Sequence, residues 1–219
     1  MAGTTGYNNK GLYNKYDKNH KERDRLDYYS TPTVEVENIL NTLNINFDEN
    51  TMLEPCVGGG HMANGIWNYI YGKGYKCNLI GTDIMDRGYR DTNWKLYYGK
   101  DYDFFSDDYP INSADWVIMN PPFSIIEPFM IRALEIARKG VIMLGRLQVL
   151  EGEKRYINII KDNPPTDTYV YVDRIQCWKD GVKPEGSSAQ AYAWFVWDKT
   201  KENQLSELHW IRRNDKQSI

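Results

Sequence analysis

The chain is short of cysteine and histidine and carries no excess of positive charge. Its three cysteines, Cys56, Cys77 and Cys177, are odd in number and far apart, which excludes a disulfide framework and leaves no pair at metal-ligand spacing. The three histidines, His20, His61 and His209, stand in unrelated contexts, so neither a catalytic triad nor a metal centre is expected. A formal net charge of -3 is at odds with a protein that coats nucleic acid indiscriminately, because neutralising phosphates takes clustered Lys and Arg. Long apolar runs are missing too, and the first residues form no apolar h-region. The expectation is a reduced, cytoplasmic protein that neither enters nor crosses a membrane.

What is present is enough for one sizeable core: 219 residues with seven Trp and seventeen Tyr, most of them expected to pack inside. Residues 1–27 carry Lys10, Lys15, Lys18, Lys21, Arg23 and Arg25 among Tyr, Asn and Gly and read as a flexible basic arm. Residues 28–219 read as one domain. A second basic set follows within it, namely Arg146, Lys154, Arg155, Arg174, Lys179 and Lys183, each either a solvated face or a phosphate contact.

Thr31 predicts an N-cap with Pro32 at the first helical position of a helix to about residue 44. A short strand at 51–53 enters the turn Glu54-Pro55-Cys56-Val57-Gly58-Gly59-Gly60, and residues 61–71 read as the helix after it. Residues 77–83 form the next strand with Asp83 at its carboxyl end. Strands at 94–98, 116–119 and 141–144, a helix at 127–139 closed by Gly140, a helix at 147–160 and strands at 168–174 and 191–197 complete the reading. Strands alternating with helices imply a mainly parallel sheet covered on both faces, and the last two strands should run antiparallel.

Three features carry chemistry. Asn120-Pro121-Pro122-Phe123 directly follows the apolar run Asp115-Trp116-Val117-Ile118-Met119, so an amide and a rigid double proline sit at the carboxyl end of a buried strand, where open α/β sheets place ligands. Proline fixes φ and restricts the residue before it, so Asn120 and Pro121 are held extended with acceptor oxygens projecting. A flat ring bearing an amino group suits that edge: the Asn120 side-chain oxygen and the Pro121 carbonyl accept its N–H groups, and Phe123 stacks on its face. Second, Gly58, Gly60 and Ala63 fit the G-x-G-x-x-G/A pattern of a nucleotide-binding turn, with Asp83 at the downstream distance of a ribose-binding acid. Glu54-Pro55 before those glycines suits a ligand with a positive end and repels a pyrophosphate, a preference that S-adenosylmethionine meets and NAD does not. Third, Asp103, with Phe104 and Phe105 behind it, is placed to accept a hydrogen bond from an adenine amino group.

Taken in this order and preceded by Tyr29-Ser30-Thr31-Pro32, these segments resemble the class I S-adenosylmethionine-dependent DNA adenine-N6 methyltransferases over residues 28–197. Residues 174–178 and 191–197 are further similar to the ends of small methyltransferases carried by phages and mobile elements. The resemblance implies a Rossmann-like fold with a mainly parallel seven-stranded sheet, an antiparallel carboxyl-terminal strand and helices on both faces. It implies that Thr31 and Pro32 hold the methionine part of the cofactor, that Glu54, Pro55, Cys56, Gly58 and Gly60 hold its amino acid and ribose region, and that Asp83 and Asp103 hold ribose hydroxyls and adenine. Asn120, beside the cofactor, and Pro121, Pro122 and Phe123 would carry the target base, a flipped adenine in DNA. Little chain remains for a separate target-recognition domain, which leaves a short site, relaxed specificity or a partner subunit. A protein glutamine or an RNA base amine is an alternative substrate of the same edge, and a non-catalytic binding protein is the alternative of another class.

Overall fold

The computed structural model describes residues 28–213 apart from 107, 108, 110, 112, 184, 186–189 and 202–204. The basic arm of residues 1–27 lies outside the described residues. Along the chain run β1 (Tyr29–Ser30), α1 (Thr33–Leu43), β2 (Thr51–Glu54), α2 (His61–Lys73), β3 (Asn78–Asp83), β4 (Lys95–Tyr98) and β5 (Ala114–Met119). There follow α3 (Ile126–Ile136), β6 (Ala137–Arg146), α4 (Glu153–Arg155), β7 (Asp167–Tyr171), β8 (Trp178–Lys179), β9 (Tyr192–Asp198) and β10 (Glu207–Ile211).

Eight strands form one sheet in the order β10-β7-β9-β6-β5-β2-β3-β4, and β1 pairs with β8 as a separate ribbon. Only β9 runs antiparallel to its neighbours in the sheet; the other pairings are parallel. Parallel strands buried on both faces read as unbroken apolar runs, and every residue of β5 is buried. Trp116 and Ile118 of β5 face the layer of α1 and α2 with Val36, Leu40 and Ile66, whereas Val117 and Met119 face the layer of α3 with Phe129, Met130 and Ala133. This is the expected mainly parallel α/β sheet with one antiparallel strand, β9. Among the described residues, no helix is long and apolar enough to cross a membrane.

The sheet has one strand more than the seven expected. Glu207–Ile211 is mostly exposed and lacks the alternation that marks a strand in isolation, so only its partner defines it. Asp167, 2% exposed at the start of β7, accepts hydrogen bonds from Lys201 Nζ at 2.7 Å and Thr166 Oγ1 at 2.8 Å and lies 3.1 Å from His209 Nε2. Tyr169 stacks on the His209 ring at 4.5 Å. Burial pushes the Asp167 carboxyl up, but these partners outweigh it and hold it below the ordinary carboxylate range. A lowered folded pKa contributes stability that is present above the unfolded value and is lost as pH falls through the folded one. Asp167→Asn should therefore destabilise the protein by roughly 1–3 kcal/mol at neutral pH, with the difference from wild type shrinking in acid. Urea unfolding across a pH series measures this, and an equal gap at both ends would count against the assignment.

Three local readings change. Pro32, not Thr31, holds the N-cap position of α1, with φ -55 and ψ 127, because the Thr31 side chain is used elsewhere. Gly140 does not close a helix: α3 stops at Ile136 and β6 already begins at Ala137. A Cβ at Gly140 would lie 2.4 Å from both Trp116 Cζ3 and the Trp197 carbonyl oxygen, so this glycine lets a tryptophan cross the sheet. The helix expected over 147–160 is broken into a 3-10 turn at Leu147–Leu150, the short α4, and a π turn at Tyr156–Ile160. Gly152, at φ +111, is the interruption.

Candidate active site

The parallel pairing brings the carboxyl ends of β2, β3 and β5 to one edge, with β2 at the point where strand order reverses. Ligands of open α/β sheets bind at such a switch point. After β2 the chain turns through Gly58 at φ +57 and Gly60 at φ +82, a left-handed backbone that side chains strain. The Tyr28 ring lies on Gly58 and Gly59, and the Tyr89 ring on Gly60. Asp83 fastens this turn: Oδ2 accepts from the Gly58 amide and Oδ1 from the Met85 amide, both at 2.8 Å. Burial raises the Asp83 carboxyl, against those amides and the nearby Arg87.

Pro55, Cys56, Asp83, Asp103, Asn120, Pro121 and Pro122 line one cleft of about 650 Å³ including its open mouth. Its aromatic walls come from Tyr28, Tyr29, Tyr102, Phe104, Phe105 and Phe129, and Asp103 accepts from the Phe105 amide at 3.2 Å. A smaller recess shares Cys56 and Asn120 with the cleft and is also lined by Thr31, Glu54 and His61. Glu54 is 2% exposed there, and its Oε2 has no hydrogen-bond partner among the described residues. Burial first, and the Asp83 charge second, push its carboxyl well above the ordinary range. An isolated buried carboxylate is costly, so this position is suited to a cation arriving beside it.

The orientation of Asn120 follows from its neighbours. Its Nδ2 donates to the Tyr29 carbonyl at 2.7 Å and to Thr31 Oγ1 at 3.0 Å. A backbone carbonyl can only accept, so the amide nitrogen must face it and Oδ1 must face the other way. Oδ1 is buried and has no partner among the described residues. The β1–β8 ribbon, with Tyr29 opposite Lys179 and Ser30 opposite Trp178, holds Tyr29 in place to do this. Pro122 gives its carbonyl to the Ile125 amide at 3.2 Å.

Of the remaining residues singled out in the sequence, Pro32 caps α1 and accepts from the Glu35 amide at 2.9 Å. Phe123 is absent from the cleft walls. Its ring packs 5.5 Å from Tyr29 and 5.7 Å from Tyr192, with the Arg146 guanidinium carbon 4.5 Å from its centroid. A base stacking on that ring must take the place of the guanidinium or use the other face. Sequence reasoning passed over the Tyr29 carbonyl and the Tyr28 ring, and it named Arg146 only as one of a basic set, with no place beside Phe123; each gains its position from chain more than twenty residues away.

No protein-family model and no curated protein matches the chain. Solved structures do. A candidate class I S-adenosylmethionine-dependent methyltransferase from Listeria monocytogenes superposes with a TM-score of 0.59 at 13% identity, covering 93% of this chain and 71% of that one. The methyltransferase subunit of a type I restriction-modification system from Streptococcus thermophilus gives 0.60 at 12% identity, covering 96% of this chain; the chain spans about half of that subunit, 53%. A candidate RNA methyltransferase from Pyrococcus horikoshii gives 0.56 at 17% identity, with 88% and 98% covered. Together with the strand order, these likenesses give the chain the Rossmann-like α/β fold of the class I methyltransferases.

Proposed function

We propose that the protein is an S-adenosylmethionine-dependent methyltransferase acting on an exocyclic amine, N6 of adenine in DNA. The observation that carries this reading is the buried, unpartnered Oδ1 of Asn120, a residue lining the cleft, turned away from Tyr29 and Thr31 by two contacts on its own nitrogen. An acceptor so placed is completed by a substrate N–H. The fit to the cofactor rests on the second unpartnered oxygen, Glu54 Oε2, which suits the amino group of its methionine part, and on Asp83 and Asp103 in the cleft for ribose and adenine. When bound, S-adenosylmethionine supplies a sulfonium methyl open to attack by an amine.

The chain's own part is alignment. An aromatic amine keeps its lone pair in the ring. Two acceptors, Asn120 Oδ1 and the Pro121 carbonyl, favour the pyramidal amine in which that pair points out of the plane, and positioning of this kind supplies much of an enzyme's rate. The surplus proton of the methylated amine is acidic enough to leave to water, so no strong general base is required. A target within duplex DNA must be flipped out, at a cost of a few kcal/mol. The restriction-modification subunit among the structural neighbours supports DNA as the substrate, and we assign recognition of any longer site to a partner subunit.

The test is to express the protein and the Asn120→Ala variant in cells and to measure methylated bases and side chains by mass spectrometry. N6-methyladenine in DNA that depends on Asn120 is the expected result. Methylation confined to RNA or to protein glutamine would replace the substrate, and none in any fraction would return the non-catalytic reading.

A further inference from the structure

Most arginines in ion pairs here have an obvious structural duty. Arg155 lies 3.2 Å from Glu127 Oε1 and also donates to the carbonyls of Gln148, Val149 and Glu151, so it ties the broken segment after β6 rather than facing a ligand. Arg138 pairs with Asp115. Arg146 differs. It ends β6, the strand next to the one that ends in Asn120, and stands opposite Tyr192 of β9. Its guanidinium lies on Phe123 at 4.5 Å. Its Nε is buried without a hydrogen-bond partner, and no carboxylate comes within 4.0 Å of it among the described residues. Its polar neighbours are the Tyr192 hydroxyl, to which it is hydrogen-bonded, and the Cys177 thiol; both are neutral, and burial raises the pKa of each.

A half-buried cation without a counter-charge is retained at a cost unless something completes it. Stacking on Phe123 occupies the flat face of the guanidinium, and the neutral Tyr192 hydroxyl takes a hydrogen bond at its edge, which leaves Nε unpartnered and the charge unbalanced on a group whose planar fork matches a phosphate. Resting on the reading of DNA as substrate, we infer that Arg146 is the binding residue for a backbone phosphate beside the flipped nucleotide. It is a substrate-binding residue separate from the Asn120 edge, and it is the one member of the second basic set that stands next to the target.

The experiment measures binding of single-stranded oligo(dA) by the full chain with S-adenosylhomocysteine across a potassium chloride series. Arg146→Gln should flatten the dependence of log K on log salt by about 0.7, one phosphate on a single strand, while Arg146→Lys keeps the slope and loses the stacking. An unchanged slope in the Gln variant overturns the assignment. Phenylglyoxal labelling of the wild-type chain, read by mass spectrometry, does not depend on any variant folding. Arg146 should be protected by oligo(dA) but not by its uncharged methylphosphonate analogue, and equal protection by both would also overturn it. Methylation of oligo(dA) with neither effect sinks Arg146 alone; failure to bind or methylate oligo(dA), with an acidic protein methylated instead, sinks the DNA reading as well.

Discussion

Replacing Asn120 by alanine should leave S-adenosylmethionine binding within severalfold of wild type while methyl transfer falls by at least ~10², the scale seen when a hydrogen-bond partner of the transition state is removed. The split follows from geometry. Among the described residues the amide nitrogen donates to the Tyr29 carbonyl and the Thr31 hydroxyl, and Oδ1, unpartnered among them, is the atom a substrate amine would meet. Calorimetry for the cofactor and single-turnover transfer for the reaction separate the two effects. A control comes from the supporting side: Thr31→Val removes one of the two contacts that orient the amide, so it should slow transfer less than Asn120→Ala does. Turnover unchanged in the alanine variant would end the assignment of this edge. A large loss of cofactor binding instead would make Asn120 part of the cofactor site.

A second large effect is expected at Glu54. Its carboxyl is raised by burial and, to a lesser degree, by Asp83. Between the ordinary carboxylate pKa and that raised value, the folded chain holds a proton that the unfolded chain has lost. The free protein therefore becomes less stable as pH rises through that window. A cationic amino group placed beside Oε2 favours the ionised form, so cofactor binding should release a proton in the same window. Calorimetry in buffers of different ionisation enthalpy should show that release for wild type and none for Glu54→Gln. The Gln variant should lose roughly 1–3 kcal/mol of cofactor affinity, a charge-assisted contact, yet melt no lower than wild type at alkaline pH. Wild-type binding without proton release, and with full affinity in the variant, would remove Glu54 from the site.

Asn120 and Glu54 both stand at the end of an apolar run followed by a turn residue, a pattern local enough to read along the chain. The glycine turn and Asp83 share that legibility, since strand, turn and helix follow one another within about one unit of the fold. By contrast, the helix expected over 147–160 failed because Gly152 interrupts it with a positive φ, and Gly140 was assigned to a helix end because nothing local announces that Trp116 and Trp197 converge on it. The strand β10 is invisible without β7, to which its ladder and the His209–Asp167 contact fasten it.

The sequence by itself determined the class of fold and the placing of acceptors and acids at strand ends, because burial on both faces of a parallel sheet imposes apolar runs and the chemistry follows where those runs stop. Only the tertiary structure decided what those groups do to one another. The Asn120 amide is oriented by a carbonyl 91 residues away in sequence, held by a ribbon whose two strands are joined by a Ser30–Trp178 contact across 148 residues. Phe123, read as an open stacking surface, is covered by a guanidinium from the neighbouring strand. Such contacts join segments that share no local pattern, so their energies are set by which strands the sheet makes neighbours and by nothing that can be counted along the chain.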